Sequence, residues 1–136
     1  MKHLLIAASI AGLAIAPAAC TMRQHPVLTP TDVAYNANSK ADAEAGIKQV
    51  LGNRGWIITE EKPGAITAML SKPNAGVPGG AHTVTILVSY TADSYSIDYV
   101  DSTNMMYDPE DGTIHRNYNR WIANLQRDLS TAFVPG

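Results

Sequence analysis

The residues from His82 to Tyr90 alternate without a break. Val84, Ile86, Val88 and Tyr90 fall on one side of an extended chain, and Thr83, Thr85, Leu87 and Ser89 on the other. A period of two with one apolar side marks an antiparallel strand that buries one face and wets the other. Any fold for this chain must therefore supply a layer to cover half of a sheet. Tyr95 to Ser102 repeats the pattern through Tyr95, Ile97 and Tyr99, with Thr91 to Ser94 as the turn between the two strands. Upstream, Trp56 to Glu61 and Ala65 to Ser71 are joined by Lys62-Pro63-Gly64, turn chemistry that predicts a hairpin. Val33 to Tyr35 adds a possible short edge strand. Lys72 to Ala81, rich in proline and glycine, reads as a mobile connection without the spacing of a phosphate cradle.

Helical periodicity appears twice. Ser39 offers a side-chain oxygen as a cap, with Asp42 and Glu44 in the first turns, and Ala43, Ile47, Val50 and Leu51 recur on one side. Gly55 closes that helix. Near the C-terminus Ile114, Tyr118, Trp121, Ile122, Leu125, Leu129 and Phe133 form a second amphipathic stripe, with Asp111 or Thr113 expected to cap its start. The fold class expected is α+β: a four-stranded antiparallel meander with an N-terminal and a C-terminal helix packed on one face.

The head of the chain does not belong to this domain. Lys2 and His3 precede an apolar run from Leu4 to Ala16, shorter than the roughly 20 residues that span a bilayer. It reads as the core of an export signal, residues 1–19. The run ends in Pro17-Ala18-Ala19-Cys20, small residues before the single cysteine of the protein, as in the lipobox that directs diacylglyceryl transfer to a thiol. Pro17 stands where that motif favours an aliphatic residue, and Ala16-Pro17-Ala18 would also suit an ordinary signal peptidase, which would leave a soluble periplasmic chain. Lipidation of Cys20 accounts better for a lone thiol in an oxidising compartment. Thr21, rather than aspartate, follows it, which in a Gram-negative cell implies an outer-membrane anchor facing the periplasm. Residues 20–32, with Pro26 and Pro30, are expected to form a lipidated tether, and residues 33–136 the domain.

Removing the signal leaves roughly 116 of the 136 residues, enough for one domain with one core. A second cysteine is missing, so packing alone must hold the fold, with Trp56, Trp121, Phe133 and six tyrosines as material. The formal charge of −2 gives no reason to expect nucleic acid as a partner.

Polar residues crowd between Asp101 and Arg120. His115 and Asn119 are four apart on the last helix, as are Arg116 and Arg120, so each pair shares a face. Arginines in such a stripe either meet solvent or hold a carboxylate or phosphate in two-point contacts. Asp101, Ser102 and His115 invite a nucleophile, base and acid scheme, but neighbouring strand residues point to opposite faces, and Ser102 lacks the elbow that exposes a hydrolase nucleophile. Asp108-Pro109-Glu110-Asp111-Gly112 lacks the ligand spacing of a calcium loop. Zinc spacing is absent too, and Met105 with Met106 reads as packing rather than a soft-metal site. No metal and no cofactor are expected. The candidate ligand-binding residues are Asp101, Asn104, Tyr107, His115, Arg116, Asn119 and Arg120, with His115, Asn119 and Arg120 expected to line one groove beside Tyr107.

Arg54-Gly55-Trp56, Tyr95-Ser96-Ile97-Asp98-Tyr99, Asp101-Ser102-x-Asn104 and Ile114-His115-Arg116-Asn117-Tyr118-Asn119-Arg120-Trp121-Ile122 together resemble a family of small, uncharacterised proteobacterial envelope lipoproteins. The resemblance covers nearly the whole mature domain and implies a shared fold and envelope address; it supplies no activity. The function expected is a noncatalytic envelope lipoprotein that binds a protein, peptide or glycan through the Asp101 to Arg120 region. An alternative is a small inhibitor or stress-protection module whose Lys72 to Ala81 loop enters a target enzyme. An enzyme would need His115 within hydrogen-bond reach of an acid and a nucleophile.

Overall fold

The computed structural model describes residues 23–73 and 80–133. The export signal, Cys20 and most of the 72–81 connection lie outside the described residues. In chain order the elements are β1 (Gln24–Pro26), β2 (Val33–Ala34), α1 (Lys40–Asn53), β3 (Ile57–Lys62), β4 (Ala65–Lys72), β5 (His82–Tyr90), β6 (Ser94–Thr103), β7 (Thr113–His115) and α2 (Arg116–Ala132).

The fold is α+β, with two helices and antiparallel sheets. The main sheet has five strands in the order β2-β6-β5-β4-β3, one more than the expected meander. The fifth is β2, which pairs Val33 with Tyr95 and Ala34 with Ser94. Backbone bonds on either side fix it there: Ile97 N–H donates to Pro30 O (2.9 Å) and Tyr35 N–H to Asp93 O (3.0 Å). The hairpin turn is Pro63-Gly64, between paired Lys62 and Ala65, and Gly64 sits at φ +79, where a side chain would be strained.

Alternation decides which face is covered. Ile66, Ala68, Leu70, Val84, Ile86, Val88, Tyr90, Tyr95 and Ile97 are buried, in one core with Ala43, Ile47, Val50 and Leu51 of α1 and Tyr118, Ile122, Leu125 and Leu129 of α2. Each fully buried Leu or Ile contributes about 1.5–3 kcal/mol of transfer free energy. Arg54 ties the helices together outside the core, with Nε at 2.6 Å and Nη2 at 3.0 Å from the Asp128 carboxylate. Ser39 caps α1 by accepting from Asp42 N–H (3.1 Å), and Gly55 at φ +83 turns the chain into β3.

The polar segment begins at a bulge. Ile86 faces Tyr99 and Thr85 faces Asp101, so Val100 is the extra residue of β6. The insertion shifts the alternation by one. Ser102, opposite Val84, lands on the helix-covered face, and Asp101, opposite Thr85, on the open one.

The segment read as a tether is part of the domain from Gln24 onward. β1 pairs with β7, Gln24 with His115 and Pro26 with Thr113. Val27 N–H donates to Gly112 O (2.9 Å), Leu28 N–H to Asn119 Oδ1 (2.9 Å), and Pro30 is buried. The prolines stiffen this run, while the Val27, Leu28 and Asp32 amides find partners at Gly112, Asn119 and Ser96. The start of α2 differs from expectation for the same reason. Thr113 and Ile114 belong to a strand, Asp108 closes the turn before it, and the cap is His115.

Candidate functional site

His115 is the last residue of β7 and the N-cap of α2. Its Nδ1 accepts from Asn117 N–H at 3.1 Å, and its own N–H donates to Met105 O at 2.7 Å. A nitrogen that accepts carries no proton, so this contact selects the neutral tautomer with the proton on Nε2. Burial is the main cause that pushes its pKa below 6.5, joined by the positive fields of His82, Arg116, Arg23 and Arg120. His82, at the start of β5, lies with its ring centroid 5.4 Å from that of His115, and its Nδ1 meets Asn104 O at 2.8 Å. Because a carbonyl only accepts, Nδ1 of His82 carries the proton.

Most of the other candidates serve the fold. Asn119 clamps the N-terminal segment, accepting from Leu28 N–H and donating through Nδ2 to Pro26 O at 2.8 Å. Asn104 takes a left-handed conformation (φ +59) and donates from Nδ2 to Ala81 O at 3.1 Å. Asp101 accepts from the adjacent Ser102 N–H at 2.8 Å. Ser102 Oγ is bonded to Tyr99 OH at 2.7 Å, so the hydroxyl is paired with a phenol rather than with His115.

Three candidates keep their functional atoms outward. Arg116 and Arg120 are exposed and make no ion pair among the described residues. Tyr107 stacks on Tyr99 (centroids 4.1 Å, planes 27° apart) and is 39 % exposed. Beside it Met106 is 46 % exposed and held at φ +54, a conformation that costs a long side chain of order 1–2 kcal/mol. Its neighbour Met105 is buried, and Gln24 Nε2 donates to Met106 O at 2.8 Å. The two positive-φ residues flanking Met105 turn one methionine into the core and leave the other on the surface.

Of the four residues expected to line one groove, His115, Asn119, Arg120 and Tyr107, Asn119 turns its side chain onto Pro26 and Leu28 of the N-terminal segment, whereas Arg120 and Tyr107 are exposed. A cleft of about 200 Å³ lies at the side of α2, lined by Arg54, Trp56, Leu70, Lys72, Trp121 and Asn124. Sequence reasoning missed both this cleft and His82. The alternation of β5 was a usable signal for His82, since it places residue 82 on the face of Val84. Behind the site Tyr118 is fully buried with its hydroxyl unpartnered among the described residues, and burial pushes its pKa far above the ordinary 10.

Among the described residues no group of three or more His, Cys, Asp or Glu side chains is placed to hold a metal ion, and no helix is long and apolar enough to cross a membrane. Comparison with protein-family models, curated proteins and solved structures gives no match.

Proposed function

We propose that this chain is a noncatalytic envelope lipoprotein, processed at Cys20 and anchored in the outer membrane, that binds an acidic partner through the start of α2. The observation that carries this reading is a division among the polar residues between Asp101 and Arg120. The groups suited to chemistry are engaged within the fold: Ser102 by Tyr99, His115 as a helix cap, and Asn104 and Asn119 on backbone atoms. The groups suited to recognition, Tyr107, Arg116 and Arg120, face outward. The arginines restrict the partner to one that carries carboxylates or phosphates, in a protein, peptide, glycan or lipid. The lipobox-like Pro17-Ala18-Ala19-Cys20 and the resemblance to envelope lipoproteins support the address.

Two measurements test this. The intact mass of the membrane-bound protein should show an acyl adduct that Cys20→Ala loses; a soluble, unmodified chain starting near Ala19 would overturn the anchor. A photo-crosslinker at position 120 should form adducts in cells that one at position 93, in the β5–β6 turn, does not. Equal labelling at both positions would remove the binding role from α2.

A further inference from the structure

The described chain starts at Arg23, and its first residues are fastened. Arg116 N–H donates to Arg23 O at 2.8 Å and Gln24 pairs with His115. Only Thr21 and Met22 separate Arg23 from Cys20. Three Cα-to-Cα steps reach at most about 11 Å even when fully extended. A lipid on Cys20 therefore brings the β1–β7 ladder and the start of α2 to the bilayer surface, whatever path those two residues take. The residues at that end suit the position. Arg23, Arg116 and Arg120 are exposed and make no ion pair among the described residues, and Met106 and Tyr107 project beside them. Acidic Glu110 and Asp111 lie at the other end of the ladder, past the Pro26 and Thr113 pair.

We propose that this end is a membrane-docking face: Arg23, Arg116 and Arg120 meet the phosphates of anionic lipid headgroups while Met106 and Tyr107 enter the interface. It deepens the binding role proposed above and rests on lipidation of Cys20. Arginines beside a side chain that can enter the interface are what an anionic surface attracts, and the left-handed backbone at Met106 keeps that side chain out of the core. With such a short leash the domain lies on the bilayer in one orientation, so the β3–β4 turn at Pro63-Gly64 and the β5–β6 turn at Ala92-Asp93 point into the periplasm.

The test uses the full lipidated chain in vesicles of phosphatidylethanolamine with phosphatidylglycerol. Acylation consumes the Cys20 thiol, so an added cysteine is the single reactive one. A bimane label on Met106→Cys, or on Tyr107→Cys as a second variant, is compared with one on Asp93→Cys, using a quencher attached to lipid headgroups. The expected result is quenching at 106 and 107 several-fold stronger than at 93. Vesicles without anionic lipid, or the added pair Arg116→Glu and Arg120→Glu, should reduce it by about tenfold or more, since each basic residue at the surface is worth about fivefold. Equal and weak quenching at all positions would overturn the docking face, as would quenching at 106 that appears only when an envelope protein extract replaces the lipid. Failure of the anchor is read separately, from the intact mass. If Cys20 proves unmodified, the released chain carrying Cys20→Ala, so that the label at 106 is again the single one, is added to the same vesicles: quenching at 106 with anionic lipid alone keeps the face, and none overturns it.

Discussion

The two ends of the sheet treat charge in opposite ways. At the end carrying the β3–β4 turn, Lys48 sits 2.6 Å from Glu61 and 3.9 Å from Glu44, and Lys62 sits 3.1 Å from Glu60. Those contacts are surface pairs, weak but locally neutral. At the end carrying the start of α2, Arg116 and Arg120 have no such counter-charge among the described residues, a strained Met106 is pushed outward, and His115 is held neutral beneath them. Lys48 and Lys62 are paired at one end while Arg116 and Arg120 are unpaired among the described residues at the other, so the surface of this domain presents charge differently at its two ends.

The largest expected effect concerns what holds the exposed end together. Asn119→Ala removes two side-chain bonds that join α2 to Pro26 and Leu28 and should destabilise the domain by about 2 kcal/mol, since it also leaves the partly buried Leu28 N–H unpaired. Denaturant melts and faster proteolysis between residues 23 and 32 would show it; an unchanged midpoint would break the claim that this end is built on the N-terminal segment. At the paired end, Lys62→Ala should leave the midpoint within error of wild type.

Next in size is the histidine cap. Folding holds His115 below its ordinary pKa of 6.5, so the unfolded chain takes up the proton first. The stability from this group is therefore fully present above about pH 6.5 and is lost as the pH falls through the lowered folded value. Protonation of Nδ1 also removes the acceptor for Asn117 N–H, a cap worth about 1 kcal/mol. His115→Asn, which caps without titrating, should flatten the melting temperature across that acidic window, whereas His115→Ala should lower it above the window. A wild-type profile already flat below pH 6.5 would contradict the assignment.

Smaller still is Tyr118→Phe. Its hydroxyl is buried without a partner among the described residues, and removing an unsatisfied group of that kind should be neutral or stabilising by up to about 1 kcal/mol in a thermal melt. A clear loss of stability would mean that the hydroxyl has a partner.

Much of the fold was legible because periodicity is a local property. The β5 alternation gave the strand its bounds, and Ser39 gave α1 its cap. What escaped depends on distant partners. β1 and β7 are too short for any period to show, and Pro26 disguises the first as a linker. Asn119 was expected to share a helical face with His115, but His115 is the cap and lies outside the helix, and the partners of Asn119 lie 91 and 93 residues away, so the sequence could not reveal that it is bonded there. The bulge at Val100 is equally silent, although it decides that Ser102 rather than Asp101 faces the helices. Among the candidate site residues, the arginines were readable as solvent-facing; outside that set, the β5 alternation places His82 on the face of Val84, but its neighbour across the fold could not be seen. A histidine cap was not foreseen because it acts as one only in a single tautomer, which the local environment selects.

The central claim is that the position of charge, not its total, orients this domain. Two double variants carry the same change in charge, Arg116→Glu with Arg120→Glu at the exposed end and Lys40→Glu with Lys62→Glu at the turn end. Each is placed in the lipidated chain with a label at position 107, and lipid-headgroup quenching is measured in anionic vesicles. The account predicts that the arginine pair abolishes most of the quenching and the lysine pair leaves it near wild type; equal losses from both would contradict it.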